Sequence, residues 1–381
     1  MAPQKSSYDV IIAGGGLAGL TASILLAQKK LRVLLVEKKE YPFHKVCGEY
    51  ISNEVLNLLR SIGFDPFEHG AASISKLRIS TPSGKNIYAD LGLGGFGLSR
   101  YTMDAALANL AIQNEVEIIA HTKVTDILFR DNHFDVTLNS GEHVSATFVI
   151  GSYGKRDVLD KKLDRDFIRS HTGYLAVKYH VRTNYPLDEV GLDNFEGGYC
   201  GIVKIENDRY NLCYLYKKNP AVEFSSIPEL EQKVLFKNPV IKNIFSKSEF
   251  LFDEPEVINE ISFAPKRLIE KHILMCGDSA GLITPLCGNG MAIAIHSGKL
   301  LSELIPASKL NSITLTQRLD IESSWQKTWN DHFRNRLNWG RKIQAFFGRA
   351  ALTGMAIQSI HRIPPLERFL IAKTHGTPVD V

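Results

Sequence analysis

Short apolar runs alternate with glycine turns and helical stretches along the first part of the chain. Val10, Ile11 and Ile12 form a continuous apolar run, the pattern of a strand buried on both faces in a parallel sheet. Leu20, Ile24 and Ala27 then recur at helical spacing. That helix fades at Lys29-Lys30, and residues 32–36 read as a second strand. Ser52 is placed to cap a helix over 53–62, with Gly63 as its stop. Residues 76–82 and 85–91 alternate like paired strands around Ser83-Gly84, and the glycine cluster 92–97 reads as loop. Residues 99–104 lead into a helix ending near Asn114. Four strands follow at 116–121, 123–129, 134–138 and 144–150, with Asn139-Ser140-Gly141 as a turn.

From residue 174 the pattern changes. The runs 174–182, 198–205 and 210–216 are rich in Tyr and Val and have no helices between them, which predicts an antiparallel sheet. Residues 227–245 read as helix interrupted near Pro239. Residues 273–278 form another short buried strand, expected to return to the first sheet. Everything after about Leu300 reads as helix, broken at Pro364-Pro365. The fold expected is α/β: a discontinuous Rossmann-like nucleotide-binding domain (1–75, 96–170 and 265–320) and an inserted antiparallel β-sheet substrate domain (76–95 and 171–264). A helical C-terminal segment, 321–381, completes it.

At 381 residues, 44% hydrophobic and 23% charged, the chain has an ordinary soluble composition. Its net charge of +4 is unevenly placed: residues 325–381 carry nine Lys and Arg against three acids. With Trp325, Trp329, Trp339, Phe346 and Phe347, that segment is a candidate for contact with an anionic membrane surface. Solvated faces of packed helices are the alternative. Five cysteines, Cys47, Cys200, Cys213, Cys276 and Cys287, stand at irregular spacing, which argues against a disulfide framework and a zinc site. The 12 histidines contain no His-Glu-x-x-His pattern, so no metal is expected, and nothing beyond the basic tail suggests nucleic acid. The uncharged run 279–298 carries Pro285, Asn289 and His296 and is not expected to span a membrane. The first apolar run is the strand before the glycines, so no signal peptide is read and the expected setting is cytoplasmic.

Gly14-x-Gly16-x-x-Gly19 lies between strand and helix, the setting of a dinucleotide fingerprint. Gly14 permits the turn, Gly16 admits a pyrophosphate, and Gly19 lets helix and strand pack closely. Leu17 and Ala18 open the helix, whose N–H groups and positive dipole end face phosphate. Glu37 stands 23 positions after Gly14, at the tip of the second strand, where an acid takes a ribose hydroxyl. It repels a 2′-phosphate, which leaves FAD or NAD. Asp278 chooses between them. A strand delivers it to a Pro- and Gly-rich loop, and a helix starts near Gly290. Such a carboxylate suits a ribityl chain, and such a helix N-terminus suits the anionic edge of a reduced flavin. Gly288, Asn289, Gly290 and Met291, with Lys38 and Val124, complete the candidate cofactor residues.

These motifs resemble those of FAD-dependent oxidoreductases of the geranylgeranyl reductase type, within the p-hydroxybenzoate hydroxylase-like flavoprotein class. The glycine fingerprint, Lys45-Val46-Cys47-Gly48-Glu49-Tyr50-Ile51-Ser52, Arg100 to Asp104, and Gly277-Asp278 with Gly288-Asn289-Gly290 carry the resemblance. Gly198-Tyr199-Cys200-Gly201 is similar to a substrate-domain strand of the group. The resemblance implies Glu37 on the adenosine ribose, Arg100 near the diphosphate, Asp278 on the ribityl chain, and Cys47-Gly48-Glu49 beside the isoalloxazine. Tyr153-Gly154 stands where related hydroxylases carry Asp-Gly, and the Trp-x-Trp-x-Ile-Pro signature of tryptophan halogenases is absent.

Only one dinucleotide fingerprint is present, so the flavin must be reduced by transiently docked NAD(P)H or a protein electron donor. The first reaction expected is reduction of carbon–carbon double bonds in an isoprenoid or lipid-like substrate, with hydride from flavin N5 and Cys47 supplying or positioning a proton. Its thiol is un-ionised near neutral pH unless its pKa is lowered; the alternative is a small buried hydrophobe. The second is a monooxygenase that forms a C4a-hydroperoxyflavin and hydroxylates an aromatic or polyketide-like substrate in a dry pocket. A flavin-binding scaffold without turnover is the third. The partner expected is a hydrophobic small molecule; the sequence carries no reading of oligomeric state.

Overall fold

A computed structural model describes residues 7–169, 171–284, 288–308, 310–347 and 376–380. Strands β1 (Ser7–Ala13) and β2 (Val33–Val36) flank helix α1 (Leu17–Gln28), and all of β2 is buried. Strand β3 (Tyr50–Ser52) leads through a turn capped by Ser52 into α2 (Leu56–Ser61). A hairpin of β4 (Ala72–Ser80) and β5 (Asn86–Gly97) comes next, then α3 (Arg100–Gln113), capped by the Ser99 hydroxyl. Strands β6 (Glu117–Ile119), β7 (Val124–Arg130), β8 (His133–Leu138) and β9 (His143–Gly151) precede the short α4 (Val158–Lys162). The second half holds β10 (Tyr174–Arg182), β11 (Glu189–Phe195), β12 (Gly198–Lys204) and β13 (Tyr210–Lys217), then α5 (Ile227–Lys233) and α6 (Pro239–Ser246). Short strands β14 (Glu249–Phe250), β15 (Glu256–Asn259), β16 (Ile269–Glu270) and β17 (Ile273–Met275) lead to α7 (Gly290–Leu304) and α8 (Leu315–Trp329). A π-helical turn, Asn330–Arg334, joins α8 to α9 (Asn335–Phe347).

Two sheets result. The first runs β16-β17-β9-β1-β2-β6, parallel from β17 to β6, with the antiparallel pair β7–β8 attached to β9. As expected, β17 returns to this sheet although it lies far along the chain. The second runs β14-β10-β13-β12-β11-β4-β5-β3, with β15 on β10. It is antiparallel except where β11 lies parallel to β4, so the inserted sheet is mixed. Strand β11 was not read from the sequence: Asp193 and Asn194, polar but buried, break its apolar run.

The glycine cluster 92–97 is a correction. It is the end of β5, paired to Tyr50–Ser52 and to the start of β4. A side chain at Gly95 would overlap the Ile51 carbonyl and the Tyr50 ring, and one at Gly97 the Lys204 carbonyl. These glycines mark close backbone approach rather than a turn. Residues 227–245 also divide as expected, with the break over Val234 to Asn238.

The largest core packs α1, α3 and α7 on the first sheet and takes in Trp325 and Trp329. Trp325 is fully buried and donates to the Met275 carbonyl at 3.0 Å. Two of the aromatic residues considered for a membrane surface are therefore core. The side chains of Phe346 and Phe347, and Pro364-Pro365, lie outside the described residues. Among the described residues no helix is long and apolar enough to cross a membrane. Trp325→Ala is expected to cost roughly 3–5 kcal/mol, read as a lower urea midpoint at unchanged slope.

Candidate functional site

Strand β1 delivers Gly14, whose φ of +109° is open to glycine and rarely to others. A side chain at Gly19 would overlap the Gly14 carbonyl and the Ser152 hydroxyl, so α1 packs directly on the turn. Gly16 faces open space: a Cβ there would lie 3.8 Å from both the Arg100 guanidinium and the Lys45 ammonium. Neither a capping side chain nor an acid stands in the first turn of α1, so its N-terminus remains positive. Glu37 is buried at the tip of β2 and accepts from Gly15 N at 2.8 Å and Lys39 N at 3.1 Å.

Arg100 clasps Asp104 with bonds of 2.6 and 2.7 Å, and Lys45 reaches the same carboxylate at 2.9 Å. Burial opposes ionisation of Asp104, but Arg100 and Lys45 outweigh it and hold its carboxyl below the usual range. Two cations therefore share one carboxylate and leave a net positive charge beside Gly16, which suits a diphosphate. Asp278 lies in a tight turn, Gly277–Ser279, after β17. Its carbonyl accepts from Lys266 at 2.8 Å, and burial brings that lysine down to about 8 against the pull of Asp278.

Gly14, Gly16, Glu37, Lys45, Arg100 and Asp278 line one cavity of about 830 Å³. Of the expected cofactor residues, Gly14, Gly16, Leu17, Ala18, Glu37, Lys38, Arg100, Val124, Asp278, Gly288, Gly290 and Met291 line it. Gly19 stays behind the turn, and Asn289 is buried behind the wall with its side chain on Glu54. The donor set fits an adenine dinucleotide with a sugar-alcohol linker: a glycine cradle, a ribose acid, a positive diphosphate seat and Asp278 beyond it. Among the described residues no group of three potential ligands is placed to hold a metal ion.

The same cavity continues onto the second sheet, and the segment 45–49 is part of its lining. Glu49 is fully buried at φ +56°, a backbone conformation uncommon for a side-chain-bearing residue. Its carboxylate accepts from Lys178 at 2.6 Å, His180 at 2.8 Å and the Arg100 N–H at 2.8 Å. Burial opposes the charge, but Lys178 and His180 hold the Glu49 carboxyl down at about 2. Asn211 donates to the carbonyls of Cys47 and Gly48 at 3.1 and 2.9 Å, and Lys155 to that of Val46 at 3.2 Å. Cys47 thereby stands half-buried at the cavity, with Cys213 also on the lining. Burial pushes the Cys213 thiol up to about 12.

Sequence reasoning missed Lys45, Lys178, His180, Asn211, Lys266 and Cys213. A signal existed for three of them. Lys178 and His180 are polar positions inside the Tyr- and Val-rich run of β10, and Asn211 sits likewise in β13. Buried polar side chains in a strand require partners.

The sequence model of the family described as "FAD binding domain" matches residues 7–191. The chain is 25% identical over 347 residues to the digeranylgeranylglycerophospholipid reductase of Methanosarcina acetivorans, covering 86% of this chain and 82% of that one. It is 23% identical to digeranylgeranylglycerophospholipid reductase 1 of Methanopyrus kandleri, covering 98% and 99%. Among solved structures it is similar to the flavin-dependent brominase Bmp2, with TM-score 0.77, 18% identity and coverage of 98% and 95%. A geranylgeranyl bacteriochlorophyll reductase-like protein from Thermoplasma acidophilum gives TM-score 0.75 at 18% identity, with coverage of 98% and 93%. At such identities the structures establish the fold.

Glu49→Gln leaves Lys178 and His180 without their anion and is expected to cost roughly 3–5 kcal/mol near neutral pH. Because folding lowers the carboxyl from 4.5 to about 2, its contribution is complete above pH 4.5 and is lost as pH falls towards 2. The stability gap between wild type and variant, measured by urea unfolding across that window, should therefore close on acidification.

Proposed function

We propose that this chain, an FAD-dependent oxidoreductase of the p-hydroxybenzoate hydroxylase-like flavoprotein class, oxygenates a hydrophobic small molecule of aromatic or polyketide-like type. One observation carries the assignment of a hydrophobic small molecule. The dinucleotide cradle opens without a break onto an apolar wall of the second sheet, which includes Leu77, Ile79, Leu91, Val190, Ile202 and Val257. Bound FAD supplies reversible two-electron chemistry, which serves oxygen transfer or double-bond reduction.

The residues divide the work. Gly14, Gly16, Leu17, Ala18 and Arg100, with Lys45, hold the diphosphate. Glu37, with Lys38 and Val124 nearby, holds the adenosine end. Asp278 takes the ribityl chain, and Gly288 to Met291 take the flavin ring. The apolar wall orients the substrate and excludes water. Transiently docked NAD(P)H or a protein donor is the reductant.

Glu49 favours oxygenation over reduction. Reducing a double bond requires an acid beside the substrate carbon. Glu49, paired to Lys178 and His180, remains a carboxylate and has no proton to give. Double-bond reduction in a lipid-like substrate is the second reading. It is favoured by Cys47 at the cavity and by similarity to reductases over most of the chain. There the Cys47 thiol supplies the proton, with Gly48 and Glu49 positioning it.

The test is product analysis. Holoprotein reduced with dithionite is mixed with isotopically labelled O₂ and a panel of aromatic, polyketide-like and prenyl compounds. Oxygenation predicts one labelled oxygen atom in the product. A product that gains two hydrogens without O₂ and carries no label overturns it in favour of reduction. Loss of about 100-fold or more in turnover on Cys47→Ser, the scale of a missing general acid, supports reduction as well.

A further inference from the structure

Asn289 occupies the N-cap of α7, but its side chain does not cap the helix. Asparagine at that position ordinarily accepts from an N–H in the first turn. Here its side chain hydrogen-bonds the Glu54 carboxylate instead. Glu54 is fully buried and is gripped by Arg336 of α9, with bonds of 3.0 and 3.2 Å to its two oxygens. The backbone N–H of Gly376 also reaches that carboxylate, and Val379 N donates to the Glu54 carbonyl at 2.8 Å. A side chain at Gly376 would overlap both Glu54 and Arg336. Three separate parts of the chain, α7, α9 and the segment 376–380, thus converge on one carboxylate.

The convergence lies behind the cavity wall. Gly288, Gly290 and Met291, on either side of Asn289, line the cavity, so the N-terminus of α7 opens onto it. Neither an acid nor a capping side chain occupies the first turn of that helix. Its first N–H groups and positive dipole end are therefore available to a ligand.

We propose that Glu54 is a positioning residue for the cofactor: by engaging Asn289, it keeps the N-terminus of α7 uncapped and turned to the flavin. The inference rests on FAD occupying the cavity. Reduced flavin is the more anionic form, so an open helix N-terminus favours it over the oxidised form. Without Glu54, the Asn289 side chain is released to accept from its own helix, and that preference weakens. Arg336 and the segment 376–380 act through the same contact, because they hold the Glu54 carboxylate in place.

The test compares wild type, Glu54→Leu/Arg336→Leu, and that double variant with Asn289→Ala added. Removing both charges together avoids stranding a buried guanidinium. Apoprotein is titrated with FAD by flavin fluorescence, and the flavin midpoint potential of each holoprotein is measured by dye-linked reductive titration. In the double variant, the preference for reduced over oxidised flavin should fall about tenfold, which is about 30 mV for a two-electron couple. Adding Asn289→Ala should restore the wild-type potential, a recovery that a merely structural role would not produce. An unchanged potential in the double variant, or a triple variant that stays low, overturns the proposal. If the double variant does not fold, Glu54→Met/Arg336→Met, which fills the space with unbranched side chains and removes the acceptor, decides: a lowered potential is expected, and a wild-type potential overturns the proposal. Wild-type apoprotein that takes up no FAD overturns the cofactor reading instead.

Discussion

The cavity depends on one desolvated carboxylate. Glu49 follows the β1-α1-β2 unit in the chain, but its partners Lys178 and His180 stand on β10 of the second sheet, and its third donor is the first backbone N–H of α3. A buried anion is tolerated only when its oxygens are satisfied. The two sheets and α3 are therefore tied at one point. Lys178 also holds the Lys45 carbonyl, and Asn211, opposite His180 in the ladder, holds those of Cys47 and Gly48. Side chains from the second sheet thus set the path of this stretch of the cavity lining.

Charge is distributed along the cavity to match two kinds of guest. At the glycine end, Arg100 and Lys45 share Asp104, and the open N-terminus of α1 adds positive potential beside Gly16. At the far end, the lining is mostly aliphatic and belongs to β4, β5, β11 and β12. One enclosure thereby offers a positively charged end and an apolar end.

Cysteine chemistry follows the same distribution. Cys213 is half-buried on the lining and keeps its proton, and Cys47 is half-buried on the clamped segment. Cys200 and Cys276 belong to the cores of the two sheets. Of the five cysteines, Cys287 lies outside the described residues.

What the chain's order alone determined is local. The run Val10 to Ile12, the glycine turn, the stripe from Leu20 to Ala27 and Glu37 are close in sequence, so their spacing specifies strand, turn, helix and acid. Asp278 before a glycine-led helix was legible for the same reason. Tertiary structure decided whatever depends on distant partners. Gly95 and Gly97 read as a turn because their neighbours, Ile51 and Lys204, are remote in sequence; contact with those backbones makes them strand. The parallel pairing of β4 with β11 joins residues more than 100 positions apart, as do the bonds from Lys178 and His180 to Glu49. Periodicity tells which side chains share a face, but not which remote group will neutralise a buried charge. That choice belongs to the packed fold, because desolvation makes each buried ion depend on a partner that local sequence does not name.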